Sequence, residues 1–192
     1  MRYLLFCSVL AIVFFSCKQK DKKQPAKKVE KTGYIISKDG IGELKIGMSQ
    51  SEVENLLSQK FTFKHAKETT GSWADTVTSK YKDLDVTLFF ERQYSDNDAF
   101  IMELIGLQTN SPLCKTADGL GIGDEKPAII TAYDDNPINM GPEYERVNDT
   151  TWLPSKTKYN INVRDDKYEK ELVFHLLNKK VVSLEASMIM GD

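Results

Sequence analysis

The chain has 192 residues with 26 Lys+Arg against 28 Asp+Glu, 41% hydrophobic residues and 28% charged ones. That length and balance describe one domain of ordinary size or two small repeats, and they exclude neither a soluble nor an anchored protein. The charge is segregated: seven lysines lie within 18–32 beside Asp21 and Glu30, whereas 33–192 holds 18 Lys/Arg against 26 Asp/Glu. An acidic body lacks the basic stripe that nucleic-acid binding needs.

In chain order, Met1-Arg2, the apolar run Tyr3–Phe15 and Ser16 read as a secretory signal peptide over 1–16. The apolar run is too short for the roughly 20 residues that cross a bilayer. Cys17 follows the expected cleavage point. Phe14-Phe15-Ser16-Cys17 keeps the small residue before the cysteine and has Phe14 where leucine is usual. The segment resembles a bacterial lipoprotein lipobox, which implies a lipid on the Cys17 thiol and a mature chain that starts there. An ordinary cleaved signal and an uncleaved anchor are the alternatives. Residues 17–32 form a Lys-rich tether whose composition predicts disorder. Lys18 after the cysteine is not an aspartate-type inner-membrane retention signal, so the expected place is the outer membrane, facing the periplasm. With Cys7 in the signal and Cys17 lipidated, Cys114 is the remaining thiol, and its expected role is a small buried hydrophobe.

The body carries a faint repeat. Asp39-Gly40-Ile41-Gly42 returns as Asp118-Gly119-Leu120-Gly121, and Ile46-Gly47 as Ile122-Gly123. Apolar residues at i, i+3, i+4 follow each (Val53, Leu56, Leu57; Ile129, Ala132, Tyr133), which predicts helices over Met48–Gln59 and Asp124–Asp135. Ser49-Gln50-Ser51-Glu52 reads as a capping box. In the second helix Asp124 is the expected cap, and Pro127 falls in the first turn.

Period-two alternation then predicts strands near Phe61–His65, Trp73–Tyr81, Asp85–Glu91 and Phe100–Gln108. In the second half they fall near Tyr144–Asn148, Thr151–Leu153 continuing to Lys158–Arg164, Glu171–Leu177 and Val181–Met188. The expected fold is α+β: two tandem repeats, 33–110 and 111–192, each a helix followed by an antiparallel meander of about four strands in two layers.

The segment Leu44-x-Ile46-Gly47-Met48-Ser49-x-x-Glu52-Val53-x-x-Leu56-Leu57 resembles the first-helix signature of the SmpA/OmlA (BamE-like) outer-membrane lipoproteins. It is similar also to the repeat of beta-lactamase-inhibitor-protein-like domains. The resemblance implies a helix-on-sheet module that binds other proteins through its open sheet face. It carries over no catalytic residues.

Chemistry-bearing residues are few. The two histidines, His65 and His175, lie at the end of and within predicted strands, and HExxH, GxSxG, CxxC and phosphate-loop motifs are absent. No catalytic residue, metal ligand or cofactor is therefore assigned. Asp96-Asn97-Asp98 and Asp134-Asp135-Asn136 lack EF-hand spacing and read as solvated turns. Trp73, Trp152, Tyr81, Tyr144 and Tyr159 are candidate partner-binding aromatics, with core packing as the competing role. The expected function is a non-catalytic protein-binding envelope lipoprotein (assembly factor, scaffold or inhibitor-like), with an envelope protein as partner. A small-ligand or metal-ion binding periplasmic module is the alternative, and an envelope hydrolase comes third.

Overall fold

The computed structural model describes residues 34–63, 74–94, 100–167 and 169–189. The expected signal peptide (1–16), Cys17, the expected tether (17–32), His65, Trp73 and Asp96–Asp98 lie outside these residues. The order is β1 (Tyr34–Ser37), β2 (Gly40–Ile41), β3 (Leu44–Lys45), α1 (Gln50–Leu57), β4 (Ala74–Tyr81), β5 (Leu84–Tyr94) and β6 (Phe100–Thr109). Then come β7 (Cys114–Lys115), α2 (Lys126–Ala132), β8 (Ile138–Arg146), β9 (Trp152–Arg164), β10 (Lys170–Leu177) and β11 (Lys180–Met188).

This architecture corrects the tandem α+β expectation. Among the described residues strand makes up 57%, and the two helices are only 8 and 7 residues long. The long strands do not form two meanders. They join into one seven-stranded sheet, β4-β5-β6-β11-β10-β9-β8, because β11 pairs antiparallel with β6 from Leu184↔Thr109 to Ser187↔Gly106. The first half supplies three strands rather than four. Phe61 and Phe63 alternate as a strand would, yet they run unpaired into the core, stacked near Phe90 with ring centroids 5.8 and 5.1 Å away. Burial of two large rings substitutes there for a ladder. Thr151–Leu153 continues to Lys158–Arg164 as expected, as the single strand β9, whereas its partner β8 begins at Ile138 rather than near Tyr144.

Four short strands, β3-β2-β1-β7, form a second small sheet, with β1 and β7 parallel. The glycine repeat builds its tight turns. Gly40 has φ +125°, and a Cβ there would lie 2.2 Å from the Leu44 carbonyl oxygen, so only glycine fits.

One buried cluster holds the fold together, with both helices and the small sheet on one face of the large sheet. Alternate residues of neighbouring strands supply it: Leu88 opposite Leu107, Leu107 opposite Ala186, Leu172 opposite Ala186, and Phe174 opposite Ile161. Helix α1 starts as expected. Ser49 Oγ accepts from the Glu52 amide (3.4 Å) and Glu52 Oε2 accepts from the Ser49 amide (2.7 Å). A bulge in β6 turns the Leu104 backbone outward, where its N–H donates to Met48 O and its carbonyl accepts from Gly47 N, both 2.8 Å. That clamp seats α1 on the sheet. Helix α2 departs from expectation at its cap. Glu125 occupies the N-cap without a side-chain bond, and Asp124 Oδ2 instead accepts from the Gly121 amide at 2.8 Å.

Candidate functional site

The sheet's two faces differ in chemistry. The face away from the helices is polar, with Thr87 opposite Gln108, Gln108 opposite Glu185, and Asn160 opposite His175. The helix-bearing face is apolar, and it is longer than the two short helices can cover. Its uncovered end lies on β8 and β9, where Met140, Tyr144, Trp152 and Tyr159 are exposed, whereas Leu172, Phe174 and Leu176 of β10 are buried.

Two sites result. The first is on the polar face around His175, which is half-buried between two carboxylates. Nε2 lies 2.9 Å from Glu185 Oε2 and Nδ1 3.3 Å from Glu143 Oε1. With its amide nitrogen turned inward, Asn160 donates to Glu143 Oε1 (2.9 Å) and reaches Nδ1 (3.0 Å). Two protonation states are therefore satisfied. In the neutral ring, Nε2–H donates to Glu185 and Nδ1 accepts from Asn160. In the imidazolium, Nδ1–H donates to Glu143. Burial, the largest single influence, lowers the imidazole's pKa, but the hydrogen bonds and charges of Glu185 and Glu143 outweigh it, so the net shift is upward. Ser183 lies opposite His175, but its Oγ accepts from Gln108 Nε2 at 3.0 Å. Both imidazole nitrogens face carboxylates, so neither is aimed at that hydroxyl as a serine–histidine pair requires.

The second site is the uncovered apolar end. Period two along β8 places Ile138, Met140, Pro142 and Tyr144 on the helix-bearing side, and Glu143, between them, reaches His175 on the other. Pro154 pairs with Tyr144, and Trp152 with Arg146, so both share the side of Tyr144. The β8–β9 hairpin runs on past the last β9–β10 pair, Leu177↔Lys158, and leaves Tyr144 63% and Trp152 57% exposed. Nearer the sheet, Met140 (46%) and Tyr159 (37%) border a groove of about 720 Å³ floored by Ile161 and Leu176. Three lysines, Lys126, Lys156 and Lys179, line the same groove.

The five aromatics named from sequence thus separate. Tyr144, Trp152 and Tyr159 gather on one side of one hairpin. Trp73 lies outside the described residues. Tyr81 is a core residue at 2% exposure: its ring meets Tyr34 edge-on (centroids 6.2 Å apart), and its hydroxyl accepts from the Glu43 amide at 3.0 Å. Its duty is to hold the turn between β2 and β3. The resemblance implied the open sheet face as contact surface; the exposed aromatics of the hairpin lie instead on the side that continues the helix-bearing face. Sequence reasoning missed the groove, although the lysines flanking β9 and β10 were visible. It also missed the His175 cluster, whose members come from four strands.

Cys114 is buried in the core, and burial pushes its thiol up to about 12. Asp134 and Asp135 are exposed in the turn after α2, and among the described residues no group of three or more His, Cys, Asp and Glu is placed to hold a metal ion. The chain matches no protein-family model, and no curated protein and no solved structure matches it. The SmpA/OmlA and inhibitor-like resemblance therefore rests on its 14-residue motif alone.

Proposed function

We propose that this protein is a lipid-anchored envelope protein whose folded body is a non-catalytic binding module for another protein. The observation that carries the reading is the projecting β8–β9 hairpin, with Tyr144, Trp152, Leu153 and Val147 all more than half exposed. Large aromatics on an exposed rigid element are the residues that dominate protein interfaces, and clustered exposed apolar groups mark interaction surfaces. The hairpin's shape is fixed by its own ladder, so little conformational entropy is lost when a partner covers it. Cys17 and the basic tether supply the anchor, and tethering raises the local concentration of the hairpin near a membrane-bound partner.

The test is crosslinking in native envelopes with the full chain beside a Tyr144→Ala/Trp152→Ala variant of equal melting temperature. A discrete partner crosslinked by the native chain and lost in the variant supports the reading. A pattern identical for both, or no partner for either, overturns it. The anchor is tested separately: Cys17→Ser should move the protein from the membrane fraction to the soluble one, and continued sedimentation with membranes would refute lipid attachment at that residue.

A further inference from the structure

The groove beside the hairpin has a chemistry that an exposed aromatic surface does not need. Its floor, Ile161 and Leu176, belongs to the hydrophobic core, and Met140, Pro142 and Tyr159 extend that surface to the rim. Its volume, about 720 Å³, is on the scale of roughly 300–1,000 Å³ typical of small-molecule sites. No Asp or Glu among the described residues lines it, although the body is acidic. Among the described residues none of Lys126, Lys156 and Lys179 has a carboxylate partner, whereas Lys158, on the opposite face, pairs with Glu145 at 3.1 Å.

The three lysines come from separate elements whose backbones are tied together. Lys179 sits in the two-residue turn between β10 and β11, where Asn178 and Lys179 have φ of 51° and 70°. The Lys179 carbonyl accepts from the Lys126 amide at 3.2 Å, which fixes the start of α2 against the turn. Asn178 N–H donates to the Thr157 carbonyl at 2.8 Å, fixing the turn against the segment of β9 that bears Lys156. That segment is itself folded into an irregularity, with Ser155 Oγ accepting from the Thr157 and Lys158 amides (3.3 and 3.1 Å). Three lysines therefore line a groove with an apolar floor, and among the described residues no carboxylate lines it with them. Cationic side chains lining one groove without carboxylate partners attract an anion to it.

We propose that this groove binds a single-chain fatty carboxylate, with the acyl chain along Ile161, Leu176, Met140 and Tyr159 and the carboxylate among Lys126, Lys156 and Lys179. The apolar floor selects against a bare phosphate or sulfate, and the cationic rim selects against an uncharged lipid. The proposal does not depend on the aromatic hairpin's having a protein partner.

Titration calorimetry of the full chain with octanoate, decanoate and dodecanoate, each below its micellar concentration, tests it. One molecule should bind per chain. Each two-carbon extension should tighten binding by roughly tenfold until the groove is filled. Decanol should bind at least tenfold more weakly than decanoate, and added salt should weaken the carboxylate. The Lys126→Ala/Lys156→Ala/Lys179→Ala variant should lose at least tenfold. Met140→Trp, which fills the groove from a partly exposed position, should abolish binding at an unchanged melting temperature. The Tyr144→Ala/Trp152→Ala variant should bind as the native chain does, so that loss of the protein partner and loss of this ligand are separable. Absence of saturable binding, equal affinity in the triple-lysine variant, or an acidic apolar peptide that outcompetes dodecanoate would each overturn the assignment.

Discussion

His175 shows how one residue's surroundings set a measurable pH response. Its folded pKa is raised above the ordinary value of 6.5 by Glu185 and Glu143 against the opposing effect of burial. A raised value means the folded state holds the proton more tightly than the unfolded one. The stabilisation is therefore complete below about pH 6.5 and is lost as pH rises through the folded pKa. Melting temperatures of the native chain and His175→Gln should differ most in mildly acidic buffer and converge as pH increases; a gap independent of pH would refute the coupling. Glu54 behaves in the opposite sense. The Lys60 ammonium (2.7 Å), the Phe61 amide (2.9 Å) and the Gln50 amide (2.7 Å) hold its pKa down to about 2. Its contribution is present above the usual glutamate range and is lost as pH falls toward 2. Glu54→Gln should accordingly lower the melting temperature at neutral pH and lose that effect in acid. At Cys114 the thiol is both buried and pushed up to about 12, so almost no thiolate exists at neutral pH. Alkylation there should require unfolding, and modification of the native protein at the rate of a free thiol would contradict the burial.

At the scale of elements, β6 and the β8–β9 hairpin are opposites. Strand β6 is the seam of the sheet, with Leu107 fully buried between β5 and β11 and Leu104 fully buried between β5 and the Gly47–Met48 backbone. Gly106, beside them, lies under the Phe89 ring, whose nearest carbon would be 3.1 Å from an added Cβ. Leu107→Ala should cost about 2–5 kcal/mol, the range for truncating a buried leucine in a packed core. The hairpin tip projects into solvent, so Trp152→Ala should change stability by no more than about 0.5 kcal/mol. Chemical denaturation of the two variants checks both values. A large loss at Trp152 would mean that the indole packs on the protein and is not available to a partner. Capping follows the same logic of local accounting. Ser49 and Glu52 satisfy each other's amides within four residues, a pattern fully written in sequence, whereas Asp124 was drawn away by the Gly121 amide. Asp124, whose carboxylate could have capped α2, took the donor that the chain brought nearer.

At the scale of the whole molecule, the pairing of β6 with β11 makes the two halves interdependent. Residues from both halves enter one buried cluster, and β1, at the start of the described chain, pairs with β7 after the first half ends. Unfolding should therefore be a single transition, with fluorescence and circular dichroism superimposing in denaturant. Two separable transitions, or a half that folds alone, would restore the picture of independent repeats. Neither half can close its own apolar face, because each would expose the strand edge and the side chains that the other now covers.

The amino-acid sequence by itself determined the local features. These are the capping box at Ser49 and Glu52, the tight glycine turns, and the course of β5, β6, β10 and β11 to within a few residues. Each depends on interactions between residues close in the chain, so spacing alone records it. Tertiary structure decided the rest. Period-two alternation states that a strand has two faces but not which strand it pairs with, and so two expected sheets became one. Phe61 and Phe63 have a strand's pattern, but the nearby ring of Phe90 gave them a core instead of a ladder. Tyr81 and Trp152 are both aromatic residues in strands, yet one is enclosed by the β2–β3 turn and the other lies beyond the last covering element. His175, Glu143, Asn160 and Glu185 are spread over 43 positions and meet only because β8, β9, β10 and β11 lie side by side. The three lysines line one groove because two backbone hydrogen bonds fasten α2 and β9 to one turn. Burial and charge proximity are properties of distance in space, and pattern along the chain constrains that distance only within a helix turn or a hairpin.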